Sequence, residues 1–297
     1  MREIWEELKE SYREGAYVTR IIYILVVLFF LARLSHVLPH LGVQTTLEMW
    51  LALPSDIYKL LFHFWTPLSY MFLHVELSHF FFNLIGLYWF GRFFLNFFSQ
   101  RQFLSVYLLG GFMGALFFIL GFNYIPIFYK QASISYLMGA SASIMALLWA
   151  ITVYSPSTKT YLLFFGEVKI VYIAIVYALL DLSSLAALEN NTGGHLAHIG
   201  GALLGAWFGF QIKKGNDISE WFSKVLDGTF LALKKRPKIR PVSSTRSGRP
   251  LNDMDWNARN VAEKAEVDRI LDKVRASGYE SLTQAEKQRL FDASKRF

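Results

Sequence analysis

Four side chains that could do chemistry stand inside otherwise apolar runs. His79 and Asn83 lie in Leu77–Phe98, Ser141 in Leu137–Tyr154, and His198 in Leu196–Ile212. Ser143, Asp181 and His195 are close by, and Arg33 can snorkel outward from its run. Polar groups in apolar spans are costly, so each is a functional candidate by default. A serine hydroxyl within about 2.6–3.2 Å of an imidazole is the basic unit of a nucleophile and its base. Each residue taken alone also has a bland explanation. A serine in an apolar helix commonly bonds the carbonyl four residues back, and a histidine can simply bond a neighbour.

Positioning these groups requires helices. The chain has 297 residues, of which 54% are hydrophobic, 17% aromatic and 18% charged, with a mean hydropathy of +0.31. This composition excludes a disordered chain and argues against a wholly soluble enzyme. The absence of cysteine excludes disulfides, thiolate metal sites, iron–sulfur clusters and a cysteine nucleophile. Six runs are long enough to cross a bilayer, at roughly 20 residues each. They are Ile21–Leu38, Leu77–Phe98, Phe103–Phe122, Leu137–Tyr154, Ile170–Leu188 and Leu196–Ile212. The long acidic leader before the first run is unlike a signal peptide.

Basic residues set the orientation. Ten Lys and Arg lie in Gln211–Pro250, and Arg2, Lys9, Arg13 and Arg20 precede the first span. Lys59 and Lys130 lie on the other side. The reading is a multi-pass protein of the plasma (bacterial inner) membrane with both termini in the cytoplasm. Spans two, four and six then enter from the outer face, which brings His79, Asn83, Ser141 and His198 to one level, roughly 3–9 Å below the outer helix ends. Gly139 and Ala140 before Ser141, and Gly201 and Gly205 on span six, would let these helices approach closely. Asp181, eleven residues into span five, reads as too deep to reach His198.

Three motifs resemble those of the rhomboid intramembrane serine proteases. Gly139-Ala140-Ser141-Ala142 is similar to the family's nucleophile motif. Ala197-His198-Ile199-Gly200-Gly201-Ala202-Leu203-Leu204-Gly205 is similar to its histidine motif, and His79-Phe-Phe-Phe-Asn83 to a third. The resemblance covers about Ile21 to Ile212 and includes a long apolar first loop. It implies an all-α bundle of six transmembrane helices acting as a serine endopeptidase on transmembrane segments of membrane proteins. Ser141 would be the nucleophile, His198 the general base and later the acid, and the pair a dyad. The oxyanion would face the Ser141 N–H, the Asn83 amide and the His79 imidazole. No cofactor and no metal are implied. The alternative is a catalytically silent relative that binds membrane clients. Two positions depart from the family. Thr66 follows Trp65 where an arginine is common, and Met145 stands where a tyrosine often supports the base, so a sulfur contact is the expected replacement.

Other classes fare worse. A metal site from His79, His195 and His198 has no carboxylate or thiolate at its level. A transporter would show inverted repeats. The basic tail lacks aromatic interleaving, so no nucleic-acid partner is expected. The domain reading is a leader over 1–20, the membrane domain over 21–212, an interfacial helix and basic segment over 213–241, a linker over 242–257 and a small cytoplasmic helical hairpin over 258–297. The hairpin, with a capping box at Thr283-Gln-Ala-Glu286, is expected to dock an unknown cytoplasmic partner. His40–Glu76 is expected to form a structured element lying in the outer interface.

Overall fold

The computed structural model describes residues 11–12, 15–36, 46–132, 134–162, 166–187, 191–233, 267, 269–274 and 281–294. The chain divides into two units, Met1–Lys235 and Arg236–Phe297.

The first unit is mostly helical. It opens with α1 (Tyr17–Ser35). From Thr46 the described chain continues as α2 (Leu47–Leu51), β1 (Leu53–Pro54), α3 (Ile57–Phe62), α4 (Thr66–Ser69) and one turn of 3₁₀ helix at Tyr70–Phe72. Then come α5 (Leu77–Phe94), α6 (Gln100–Tyr124), β2 (Tyr136–Leu137) and α7 (Ser141–Tyr154). A hairpin of β3 (Lys159–Leu162) and β4 (Gly166–Lys169) leads into α8 (Ile170–Ala186), α9 (Thr192–Lys213) and α10 (Glu220–Leu233). A helix thus occupies each of the six apolar runs. Of these, α1 and α6 are long and apolar enough to cross a membrane, and α7 and α8 are shorter apolar helices.

Local chemistry sets several ends. Ser99 and Gln102 form a reciprocal capping box, with Gln102 N–H donating to Ser99 Oγ at 3.2 Å and Ser99 N–H to Gln102 Oε1 at 2.8 Å. Arg33, Arg92 and Lys213 sit in the last turns of α1, α5 and α9, where a cation meets the negative helix end. The fourth helix begins at Ser141 rather than at Leu137, because Tyr136 and Leu137 pair antiparallel with Pro54 and Leu53. The β3–β4 hairpin is likewise absent from the sequence reading.

The core runs along α7, whose residues from Ala142 to Leu148 are all buried. Large apolar side chains instead face outward on the surrounding helices, among them Phe30, Leu34, Phe82, Leu179 and Trp207. Outward-facing side chains of this kind suit a lipid surface. The contact between α7 and α9 is made by glycine. Gly201, Gly205 and Gly209 lie against the carbonyl oxygens of Ala142, Ala146 and Ala150, and a Cβ on any of the three would collide with that oxygen. The close approach expected from Gly201 and Gly205 is therefore present.

The first loop is built rather than open. Trp65 Nε1–H donates to Trp50 O at 2.8 Å, and the two indoles stack at 6.3 Å. Thr66 is buried with its hydroxyl on His63 O at 2.7 Å. Tyr58, Leu61, Phe62 and Phe64 are exposed. On α10, Ser223 Oγ lies 2.9 Å from Ser105 Oγ of α6, while Trp221 and Val225 face out. Over Glu220–Leu226 one face of α10 therefore packs on the protein, and the other exposes Trp221 and Val225 beside the Glu220–Lys224 ion pair.

In the second unit, α11 (Gln284–Ser294) is opened by the expected capping box. Thr283 N–H donates to Glu286 Oε2 at 2.9 Å, and Glu286 N–H to Thr283 Oγ1 at 3.3 Å. Lys273 Nζ donates to the same carboxylate at 2.9 Å. The expected helix over 258–276 lies largely outside the described residues, and the linker over 242–257 lies wholly outside them.

Candidate active site

Ser141 is the first residue of α7, and the turn before it is held from three directions. Gly139 has φ +114°, a left-handed conformation that other residues adopt at a cost. Its N–H donates to Tyr70 O at 2.9 Å. The next N–H, of Ala140, donates to His74 Nε2 at 3.3 Å. The third constraint is the ring of His79, so close that a Cβ on Gly139 would lie 2.8 Å from Nε2. Tyr70 is itself fixed by its hydroxyl, which donates to Gly111 O on α6 at 2.6 Å. The first N–H groups of a helix have no intrahelical acceptor. The Ser141 N–H is one of these.

His74 escaped the sequence reading because it lies just before span two. Burial first, and the neighbouring His79 second, push its imidazole down to about 3. It is therefore neutral, and its Nε2 is free to accept from Ala140.

The α7–α9 seam passes within one residue of Ser141 and one turn of His198. Gly201, one turn after His198, lies on the carbonyl of Ala142, the residue after Ser141. A Cβ on Gly114 of α6 would lie 3.1 Å from Ala197 O and collide with Ala142, so three helices meet beside the pair. Both Ser141 and His198 are half-buried. No hydrogen bond joins them among the described residues. In enzymes without substrate, catalytic hydrogen bonds are often long and tighten on binding. His79 also lies within electrostatic reach of His198.

Asn83 is buried and its amide donates to His79 O at 2.8 Å, one turn back on α5. Its Oδ1 is buried without a partner. Ser143 is fully buried, with its hydroxyl 4.0 Å from Met71 Sδ and beside Gly111. It faces α6 and the first loop.

The expectation for Asp181 is overturned. Its Oδ1 lies 2.8 Å from His198 Nδ1 and 2.7 Å from His195 Nδ1. The depth argument measured from the wrong end of the helix. Asp181 lies eleven residues after the start of α8 but only five before its end at Ala186, and α9 begins at Thr192 just beyond. At 1.5 Å per residue, that is about 7–8 Å from the α8 end, while His198 is about 9 Å from the α9 start. The two therefore share a level. A carboxylate therefore stands directly beside the His198 ring. The carboxylate missing from the histidine cluster is also supplied, by Asp181 with His195 and His198 rather than with His79. These three donor atoms lie within 4.8 Å of one another, as close as a metal would need, and hydrogen bonds occupy them. A cleft of about 580 Å³ lined by Gly15, Val18, Tyr88, Arg92 and Asn96 lies at the far end of α5 from His79 and is unrelated to this cluster.

Residues 253–296 match a family of unknown function. The chain is 28% identical over 158 residues to RHOMBOID-like protein 12, mitochondrial, of Arabidopsis thaliana, covering 50% of this chain and 47% of that protein. It thus spans about half the length of that relative. The model of the rhomboid domain matches residues 61–215, just over half of the chain, and takes in Ser141, His198, His79, Asn83 and Asp181. Members of this membrane-protein family are commonly serine intramembrane proteases, and the chain belongs to the rhomboid domain family.

Proposed function

We propose that this protein is an intramembrane serine endopeptidase that cuts transmembrane segments of membrane proteins near their outer end. The observation that carries the reading is the glycine contact between α7 and α9, in which Gly201, one turn after His198, packs on Ala142, the residue after the half-buried Ser141. Ser141 Oγ attacks the scissile carbonyl, and its proton passes to His198 Nε2. His198 returns that proton to the leaving amine and then activates the water that releases the acyl-enzyme. The oxyanion faces the Ser141 N–H, His79 and Asn83. Each such donor in a dry site is worth about 3–4 kcal/mol. No step calls for a metal or cofactor.

In this reading the six helices span the plasma membrane, with both termini in the cytoplasm and the site reached from outside. The short α7 suits this arrangement, since its start lies below the surface and water must enter above Ser141. The tail docks a cytoplasmic partner, and no nucleic acid is involved.

The test uses full-length protein in liposomes with a fluorophosphonate probe and a single-span substrate. Wild type should label and cleave, and Ser141→Ala should do neither. A folded wild type that binds the substrate but never labels would make it a silent client-binding relative.

A further inference from the structure

The cluster at the α8–α9 junction goes beyond a dyad. We propose that Asp181 is a positioning residue that holds His198 in the tautomer a base requires, with His195 sharing the same carboxylate oxygen. This inference rests on the protease reading above.

The argument is one of hydrogen-bond bookkeeping. An ionised carboxylate only accepts hydrogen bonds. With Oδ1 2.8 Å from His198 Nδ1, the proton of the neutral imidazole must sit on Nδ1. That leaves Nε2 as a lone-pair acceptor, the state needed to take the Ser141 hydroxyl proton. The opposite tautomer would place a proton on Nε2 and block the transfer. When His198 takes that proton, the carboxylate beside it also favours the imidazolium.

His195 fits the same scheme. It lies three residues before His198 on the same face of α9, and its Nδ1 is 2.7 Å from the same Oδ1. The two rings are nearly perpendicular, at 88°, with centroids 5.9 Å apart. The shared oxygen therefore receives two N–H groups from one helix and ties α9 to α8 at the level of the site. Asp181 is buried, and α8 buries only Ile170 and Ala174 besides it. The groups facing this cluster are Asp181 and Tyr177 from α8, His79 from α5 and His195 from α9 itself.

The experiment uses full-length protein in detergent micelles. Nitrogen-15 NMR of histidine in the Ser141→Ala background reads the tautomer of His198 directly. The proposal expects Nδ1–H in otherwise unmodified protein. Asn in place of Asp181 can offer its NH2 group as well as its oxygen, so Asp181→Asn should populate the Nε2–H form. In the active background, Asp181→Asn should lower kcat on the order of 10²-fold with KM changed less than about twofold. His195→Ala should keep Nδ1–H on His198 and most of kcat. A purely structural role would lower the amount of folded enzyme but leave the tautomer and kcat of the folded fraction unchanged.

The proposal is overturned by an Nε2–H tautomer of His198 with Asp181 intact, which needs no Asp181 variant to fold. It is also overturned by wild-type kcat in folded Asp181→Asn. Activity lost to a chelator and restored by zinc would overturn it in favour of a metal at the same three residues. If wild type neither labels nor cleaves, the protease reading fails, while the tautomer still decides the Asp181–His198 pairing.

Discussion

Ser143 Oγ and Met71 Sδ face each other 4.0 Å apart in a fully buried contact between α7 and the first loop. Two residues along a helix turn the side chain by about 200°, so the hydroxyl two residues earlier is directed elsewhere. Ser141→Ala is expected to abolish probe labelling and proteolysis. Ser143→Ala should keep both, with a modest loss of thermal stability from the lost contact. A dead Ser143→Ala alongside a Ser141→Ala that still labels would reverse the assignment.

Asn83 is tied to its own helix through His79 O and points into a buried site with its Oδ1 unpaired. Asn83→Ala should lower kcat by about 10²-fold or somewhat less, because Ser141 and His79 donors remain. Its KM and melting temperature should change little. Steady-state kinetics on folded protein decides this, and an unchanged kcat removes Asn83 from the oxyanion site.

His74 is a support for the turn before Ser141. His74→Phe would leave the Ala140 N–H buried without an acceptor, which costs about 1–3 kcal/mol. The expected result is a lower melting temperature together with weaker labelling of Ser141. His74→Gln, which can still accept from that N–H, should recover part of both. Equal labelling in wild type and His74→Phe would show that the turn does not depend on this bond.

The capping carboxylate of α11 gives a pH-dependent effect within the second unit. The Thr283 backbone N–H first, then Lys273 and the Thr283 hydroxyl, hold the Glu286 carboxyl at about 2, against an ordinary 4.5. A carboxyl whose value is depressed on folding stabilises the folded form above its unfolded value. That contribution disappears as pH falls through the folded one. Hydrogen-exchange protection of Gln284–Ser294, corrected for intrinsic rates, should hold down to about pH 4.5 and decay between there and about 2. Glu286→Ala should show low protection at every pH. A wild-type profile in that variant would mean the box does not hold the helix.

Much of this was legible in the sequence because apolar runs and small residues are direct readouts of helix burial and helix approach. Close helix approach at Gly201 and Gly205 is legible from their spacing, while the partner carbonyls of Ala142 and Ala146 are set by the fold. What was lost depended on pairing between distant segments. Tyr136 and Leu137 look like the start of a span, and they form a strand only because Leu53 and Pro54 lie beside them. His74 was missed because the search was confined to spans. Asp181 was seen but measured from the wrong helix end, since its partner lies across the short α8–α9 connection. The β3–β4 hairpin, pairing Lys159 with Lys169, is too short for periodicity to reveal.

The seam of glycines over carbonyls also acts as an index. Gly201, Gly205 and Gly209 are evenly spaced, as are Ala142, Ala146 and Ala150 beneath them. A shift of α9 by one residue would drive larger side chains, Ala202, Ala206 and Phe210 in one direction or Leu204 and Phe208 in the other, onto those oxygens. The next meshing position is four residues away, a translation of about 6 Å. Ser141 and His198 would then be out of proton-transfer range, so the two helices have no graded set of positions between a competent register and a dead one.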